Sequence, residues 1–217
     1  MNTNLIQHTI EFVKQKLQHA EAGHDWFHIE RVYKSSLIIA QYETCTLEIV
    51  QLGALLHDIA DSKFYDGDES IGPKVARYFL ESQNVSESII IQVINIIENI
   101  SYKGGNFDQK PPSIELQIVQ DADRLDAIGA IGIARTFNYG GFKNRQLYNP
   151  DIAPNLKMTK EEYKNNEAPT INHFYEKLLL LKDKMNTTTA KKIAQQRHEY
   201  MEGFLKQFFL EWNGQNK

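Results

Sequence analysis

The 217-residue chain is long enough for one sizeable hydrophobic core, and its 41% hydrophobic and 24% charged residues lie near globular averages, which excludes disordered and fibrous classes. A formal net charge of -4 disfavours a general duplex-nucleic-acid surface, because such surfaces are basic. Its apolar runs are too short for a membrane span, the N-terminus lacks the pattern of a secretory signal, and Cys45 is the one cysteine, so a cytoplasmic location is expected.

Apolar residues recur at helical spacing through the first half of the chain. Asp25 is a candidate cap for the second helix, in which His28 shares a stripe with apolar residues and therefore points toward the core. The isoleucine-rich segment 88–97 resembles a strand locally, but its helical neighbours favour a helix. The helices expected here span 6–17, about 25–39, 48–61, 71–80 and 89–100.

The second half of the chain contains two segments rich in glycine and proline. The first, around 104–112, predicts a loop, and the second, 139–155, predicts a long irregular loop that could act as a lid. Helical periodicity predicts helices at about 113–138, 159–185 and 187–212. With no internal repeat or linker, we expect an all-α protein: one domain over 1–217, built as a bundle of roughly eight to ten helices.

The adjacent pair His57 and Asp58 ends one of the predicted helices. Neighbouring helical residues lie about 100° apart around the axis, so two such side chains converge on one point only at an edge of the buried face. Imidazole and carboxylate together suit Mn²⁺, Fe²⁺, Co²⁺ or Zn²⁺ and leave open coordination positions in a six-coordinate shell. The pair therefore indicates a metal site at the rim of the core.

Three segments together resemble the HD-domain phosphohydrolase superfamily: HIERV at 28–32, LLHD at 55–58 and DADRLD at 121–126. The resemblance implies that His28, His57, Asp58 and Asp123 bind one divalent metal ion. It extends over about 23–141, the motif-bearing core, with the helices of about 159–212 packed on it. The sequences HDWFH at 24–28 and DRLDAIG at 123–129 look like those of a small, stand-alone bacterial subgroup.

Periodicity alone does not choose the ligand among the acidic residues at 121–126. Asp121 and Asp123 both lie on stripes with apolar residues, and the position of Asp123 within the family motif selects it. Asp126 follows one turn later and could orient a ligand or pair with Arg31 or Arg124, although a structural ion pair explains it equally well. Contacts that support the ligands from outside the metal shell are predicted for His24, Arg31 and Asp126.

Further residues are predicted to act on the substrate. Asp61, which follows His57 by one helical turn, is the candidate general base, against the alternative of a solvated helix-terminal carboxylate. Lys63, Lys103 and Arg135 are the candidate phosphate-binding cations, with Lys143 and Arg145 as further possibilities. Solvated surface charge is the competing explanation for each of these cations.

The resemblance implies a metal-dependent phosphohydrolase that acts on nucleotides, most simply by cleaving nucleoside triphosphates to monophosphates and pyrophosphate. The expected cofactor is one divalent ion, with Mn²⁺ favoured and Fe²⁺, Co²⁺, Zn²⁺ or Mg²⁺ as alternatives. The expected partner is a nucleotide, with no duplex nucleic acid and no membrane, and a homodimer is left open. Three alternatives remain: a 5′-nucleotidase, a non-catalytic module that senses metal or nucleotide, and a two-iron oxidase, which needs more ligands than these.

Overall fold

The computed structural model describes residues 3–18, 25–60, 68, 70–100, 112–159 and 167–215. All regular structure in these ranges is helical, which confirms the all-α prediction. None of the helices there combines the length and the apolarity that a membrane crossing needs. The helices are α1 (Thr3–Lys16), α2 (Trp26–Ala40), α3 (Leu47–Leu56), α4 (Ile71–Ser82), α5 (Glu87–Asn99), α6 (Ile114–Asp126), α7 (Gly129–Phe142), α8 (Asn172–Glu176), a 3₁₀ helix (Leu178–Lys184) and α9 (Thr188–Trp212).

The chain divides into two compact units, Met1–Asp123 and Arg124–Lys217. In the first unit α3 is the central helix, because it packs against α1, α2 and α5, while α4 packs on α5. Its residues from Ile49 to Leu56 are buried apart from Gln51, so α3 is apolar on nearly every side. The single-domain interpretation of 1–217 stays a prediction.

Local sequence features explain where the helices of the first unit form. Asp25 caps α2, since its side chain accepts a hydrogen bond from the backbone N–H of His28 at 3.0 Å. The isoleucine-rich segment forms helix α5, with Ile90, Val93 and Ile96 on the buried face. The strand-like composition of that segment is overridden because its apolar residues recur at a spacing of three, which suits one helical face.

One helix and one loop predicted in the second half of the chain have the wrong boundaries. The predicted helix 113–138 is two helices, because the chain turns at Ala127 and Ile128 and Gly129 adopts a positive φ of 77°. The loop expected to begin at residue 139 begins after Phe142, since α7 continues through Gly140 and Gly141. Helical context there outweighs the weak helix propensity of glycine.

The predicted helix at 159–185 is also wrong. Of its residues, 160–166 lie outside the described ranges, and the rest form irregular chain and turns, the five-residue α8 and the 3₁₀ helix. Lys177, with φ of -142° and ψ of -58°, separates these two short helices. The prediction for α9 is confirmed, and the side chain of Thr187 caps its first turn by accepting from the N–H of Ala190 at 3.2 Å.

The second unit has an aromatic core. Phe174 of α8 is fully buried, and its ring stacks on that of Phe204 of α9 with centroids 5.8 Å apart and an angle of 21° between the planes. Phe137 of α7 contacts both rings, with centroid distances of 6.1 and 5.8 Å. The short α8 is therefore held by packing rather than by its own helix-forming tendency.

One histidine of the second unit makes its stability depend on pH. Burial, together with the positive charges of Lys177 and Arg145, lowers the pKa of His173 to about 4. The unfolded chain binds this proton near pH 6.5, so between pH 6.5 and about 4 the unfolded state holds the proton while the folded state does not. Stability from this group is therefore complete above pH 6.5 and is lost as the pH falls toward 4.

We expect the variant His173→Gln to lose less stability than the wild type on acidification. The difference in the free energy of unfolding between pH 7 and pH 4.5 should be about 2 kcal/mol smaller in the variant. Urea titrations of both proteins at the two pH values measure it. An equal loss in both proteins would contradict a depressed His173 pKa.

Candidate metal centre

His28 lies in the first turn of α2, whose start is fixed by the Asp25 cap. Its side chain is 3% exposed, as expected from its place on the stripe with Val32 and Ile39. The cap and the buried stripe together hold the imidazole on the side of α2 that faces α3. This is the first of four side chains that the first unit brings together.

His57 is the residue on which α3 ends, and Asp58 follows in the turn after it. The Nδ1 atom of His57 lies 2.8 Å from the carbonyl oxygen of Ala54, and because a carbonyl only accepts, Nδ1 must carry the proton and donate. The neutral ring then has its lone pair on Nε2. That lone pair lies on the side of the ring where His28 is found.

The ligating atoms of three residues converge on one point. One atom each from His28, His57 and Asp58 lies within 4.8 Å of the others, and the two Nε2 atoms of the histidines are 3.3 Å apart. Oδ1 of Asp123, from α6, lies 3.5 Å from Nε2 of His28 and 4.0 Å from Nε2 of His57. All four residues belong to the first unit.

Burial is the main influence on the protonation of His57. It lowers the pKa of His57 below its ordinary value of 6.5, and although Asp123 and Asp58 act in the opposite direction, burial is the largest effect. His57 is therefore neutral at pH 7 and its Nε2 can bind a cation. The side chain of Asp123 is 37% exposed, so the cluster is closed on the histidine side and open to solvent on the carboxylate side.

These donors fit a divalent metal ion. Ligands that bind one metal at about 2.0–2.2 Å lie about 3.0–3.5 Å from each other. The distances of 3.3 and 3.5 Å from Nε2 of His28 to His57 and Asp123 fall in that range, while the 4.0 Å between His57 and Asp123 is longer. Two imidazoles and two carboxylates form an intermediate ligand set that accepts Mn²⁺, Fe²⁺, Co²⁺ or Zn²⁺. The group of His28, His57 and Asp58 could thus hold a metal ion, with Asp123 as a fourth donor.

The other acidic residues of α6 have different surroundings. Asp121 is fully buried, whereas Asp123 is the one whose carboxylate lies beside the histidines. Asp126 is 3% exposed and its Oδ2 accepts a hydrogen bond from Nη1 of Arg135 at 2.5 Å. This matches the alternative of a structural ion pair for Asp126, with Arg135 as a partner that the sequence did not indicate.

Arg31 and Arg135 are two further predicted residues that lie in described helices. Arg31 is half-buried on α2, one turn after His28. Arg135, predicted to bind phosphate, donates to the backbone oxygen of Asp126 at 3.3 Å as well as to its carboxylate, so its role at the substrate stays a prediction. Four predicted residues lie outside the described residues, namely His24, Asp61, Lys63 and Lys103.

Known proteins resemble this chain over nearly its whole length. The sequence profile of the HD domain family matches residues 26–128, a range that includes all four converging side chains. The crystal structure of an HD-superfamily hydrolase from Bacillus thuringiensis is 45% identical, with a TM-score of 0.80 over 99% of this chain and 100% of that chain. This chain belongs to the HD superfamily of hydrolases.

Two further relatives extend the comparison. YpgQ of Bacillus subtilis is 38% identical over 199 residues, which cover 90% of this chain and 88% of YpgQ. YpgQ has been crystallised in complex with ADP, and that structure matches 94% of this HD-superfamily chain and 93% of its own with a TM-score of 0.73. A Lactobacillus plantarum protein matches 99% of both chains with 36% identity and a TM-score of 0.82. The resemblance drawn from the three motif segments is confirmed.

Sequence reasoning missed residues that support the ligand-bearing helices. Glu115 of α6 is 7% exposed, and its Oε1 accepts a hydrogen bond from the backbone N–H of Thr46 at 2.9 Å. Thr46 is the N-cap residue of α3, so this carboxylate satisfies one of the free N–H groups at the start of the helix that ends in His57. No local pattern could indicate it, because the two residues lie 69 positions apart.

Proposed function

We propose that this HD-superfamily hydrolase is a metal-dependent phosphohydrolase that acts on nucleotides and cleaves nucleoside triphosphates to monophosphates and pyrophosphate. The observation that carries the proposal is the convergence of His28, His57, Asp58 and Asp123, a donor set suited to one divalent ion. The complex of YpgQ with ADP supports a nucleotide as the substrate class. Triphosphate cleavage rests on the resemblance of the motifs to the small bacterial subgroup.

The four donors would hold the ion, and we favour Mn²⁺ because mixed imidazole and carboxylate shells suit it. A bound divalent ion acidifies a water molecule and neutralises phosphate charge. Both histidines are buried, and the hydrogen bond from His57 to the carbonyl of Ala54 holds His57 in the tautomer whose Nε2 can bind the ion. The exposed carboxylate of Asp123 leaves a side open to the substrate.

The remaining roles are assigned by position in the sequence. Asp61, three residues after Asp58, would accept the proton of the attacking water. Lys63 and Lys103 would stabilise charge on the phosphoryl oxygens. Arg135 is the weakest of the three cationic candidates, because its guanidinium already donates to two oxygens of Asp126.

A panel of nucleotides tests the function and the bond that is cleaved. Metal-free protein is incubated with nucleoside mono-, di- and triphosphates and with Mn²⁺, Mg²⁺, Co²⁺ or Zn²⁺, while phosphate and pyrophosphate are measured separately. We expect pyrophosphate from the triphosphates, greatest with Mn²⁺ and absent when a chelator is present.

Other products would redirect the proposal. Phosphate released from monophosphates alone would identify a 5′-nucleotidase. No release with any ion, although one metal binds per chain, would contradict the hydrolysis of nucleotides and favour a sensing module. Two tightly bound irons per chain would favour the oxidase alternative.

A further inference from the structure

The last turn of α6, residues 123–126, begins with the proposed metal ligand Asp123. The last turn of a helix is less stable than its interior, because its carbonyl groups lack hydrogen-bond partners within the helix. Here the turn tightens, with the N–H of Ile128 donating to the oxygen of Leu125 at 3.2 Å. The position of a ligand in such a turn depends on what holds the turn from outside.

Arginine side chains hold this turn. Arg197 of α9 donates through Nη1 to the carbonyl oxygen of Leu125, which thus accepts a second hydrogen bond. Arg135 of α7 donates to the backbone oxygen and the carboxylate of Asp126. Arg124, within the turn itself, donates to the carbonyl oxygen of Lys184 at 2.5 Å. Cations at a helix C-terminus also interact favourably with the helix dipole.

The side chain of Arg197 packs closely against Gly129. A Cβ atom added at Gly129 would lie 2.9 Å from Cγ and 3.1 Å from Cβ of Arg197, so the arginine stem occupies the space that a side chain there would need. Burial lowers the pKa of the Arg197 guanidinium, and the carboxylate of Asp126 opposes the change. Placing a cation in such surroundings costs free energy, which the Leu125 carbonyl and the Asp126 charge offset.

We propose that Arg197 is a positioning residue for Asp123. Arg197 donates to the carbonyl of Leu125, two residues after Asp123 on α6, and so stabilises the helical conformation of the last turn. That conformation keeps Oδ1 of Asp123 at 3.5 Å from Nε2 of His28. The inference rests on the proposed function, because it takes Asp123 to be a metal ligand. Groups hydrogen-bonded directly to a metal ligand change metal affinity by about 10- to 100-fold in other proteins. Arg197 acts one step further from the ligand, so the lower end of that range is expected.

The test compares Arg197→Met, which keeps the stem and removes the guanidinium, with Arg197→Lys, which keeps the charge. Mn²⁺ affinity of the metal-free proteins is measured by electron paramagnetic resonance, and hydrogen exchange of the peptide 121–130 is followed by mass spectrometry. We expect Arg197→Met to bind Mn²⁺ about 10-fold more weakly and to exchange faster in this peptide. Arg197→Lys should recover part of both losses.

The control is Leu205→Ala, which removes a buried side chain from the same helix eight residues, or about 12 Å, beyond Arg197. All measurements are made at a temperature at which every variant is folded by circular dichroism. Unchanged affinity and exchange in Arg197→Met would overturn the proposal, as would an equal loss of affinity in Leu205→Ala. If the wild type binds no Mn²⁺, the proposed function fails. The role of Arg197 in holding the turn is then tested by hydrogen exchange alone, and unchanged exchange of 121–130 in Arg197→Met would contradict it.

Discussion

Replacing Asp58 with alanine will abolish most of the metal-dependent hydrolysis of the best nucleotide substrate. We expect kcat/KM to fall by about three orders of magnitude, or about 4 kcal/mol of transition-state stabilisation, because under the proposed function the ion loses one of its four proposed donors. The imidazoles of His28 and His57 supply no negative charge, so the loss of one of the two carboxylates also weakens binding of the divalent cation itself.

Metal content measured by plasma mass spectrometry, together with circular dichroism of the variant, distinguishes loss of the ion from loss of folding. The matched control is Asp151→Ala, which removes an exposed carboxylate in the second unit with the same change in net charge. It should keep the wild-type rate and metal content. An Asp58→Ala protein that hydrolyses nucleotides at the wild-type rate would exclude this carboxylate from the metal shell.

Replacing Gly132 with alanine will strongly destabilise the second unit. A Cβ atom at this position would lie 2.2 Å from the carbonyl oxygen and 2.5 Å from the carbonyl carbon of Ala127. These atoms belong to the backbone of the turn between α6 and α7, which cannot move aside as a flexible side chain could. We expect the free energy of unfolding to fall by about 3 kcal/mol, the upper range for overpacking a core.

Gly141 provides the comparison within the same helix. A Cβ atom there meets nothing within 4 Å, so Gly141→Ala should leave stability unchanged or raise it by about 0.5 kcal/mol through better helix propensity. Urea titrations of the two variants measure both values. Equal stabilities would show that the turn at Ala127 yields without cost and would contradict the close approach of α7.

The sequence by itself determined the helices of the first unit and the residue types of the candidate site. Hydrophobic periodicity placed α1, α2, α4 and α5 to within three residues at each end, whereas α3, predicted to run to residue 61, ends at Leu56. The Asp25 cap was predictable because its bond spans only three positions. The edge position of His57 and Asp58 followed from the same periodicity. The combination of three ordered motifs indicated the family, which the comparisons confirm.

Only the tertiary structure decided the features that depend on distant parts of the chain. It set the surroundings of the two aspartates of α6, burying Asp121 and placing the carboxylate of Asp123 beside the histidines. It ended α6 at Asp126 and broke the expected helix at 159–185 into short pieces held by the packing of Phe174. It also joined Arg197 to Leu125, which lies 72 positions away. Periodicity reports which face of a helix is buried, whereas these contacts depend on which helices pack together.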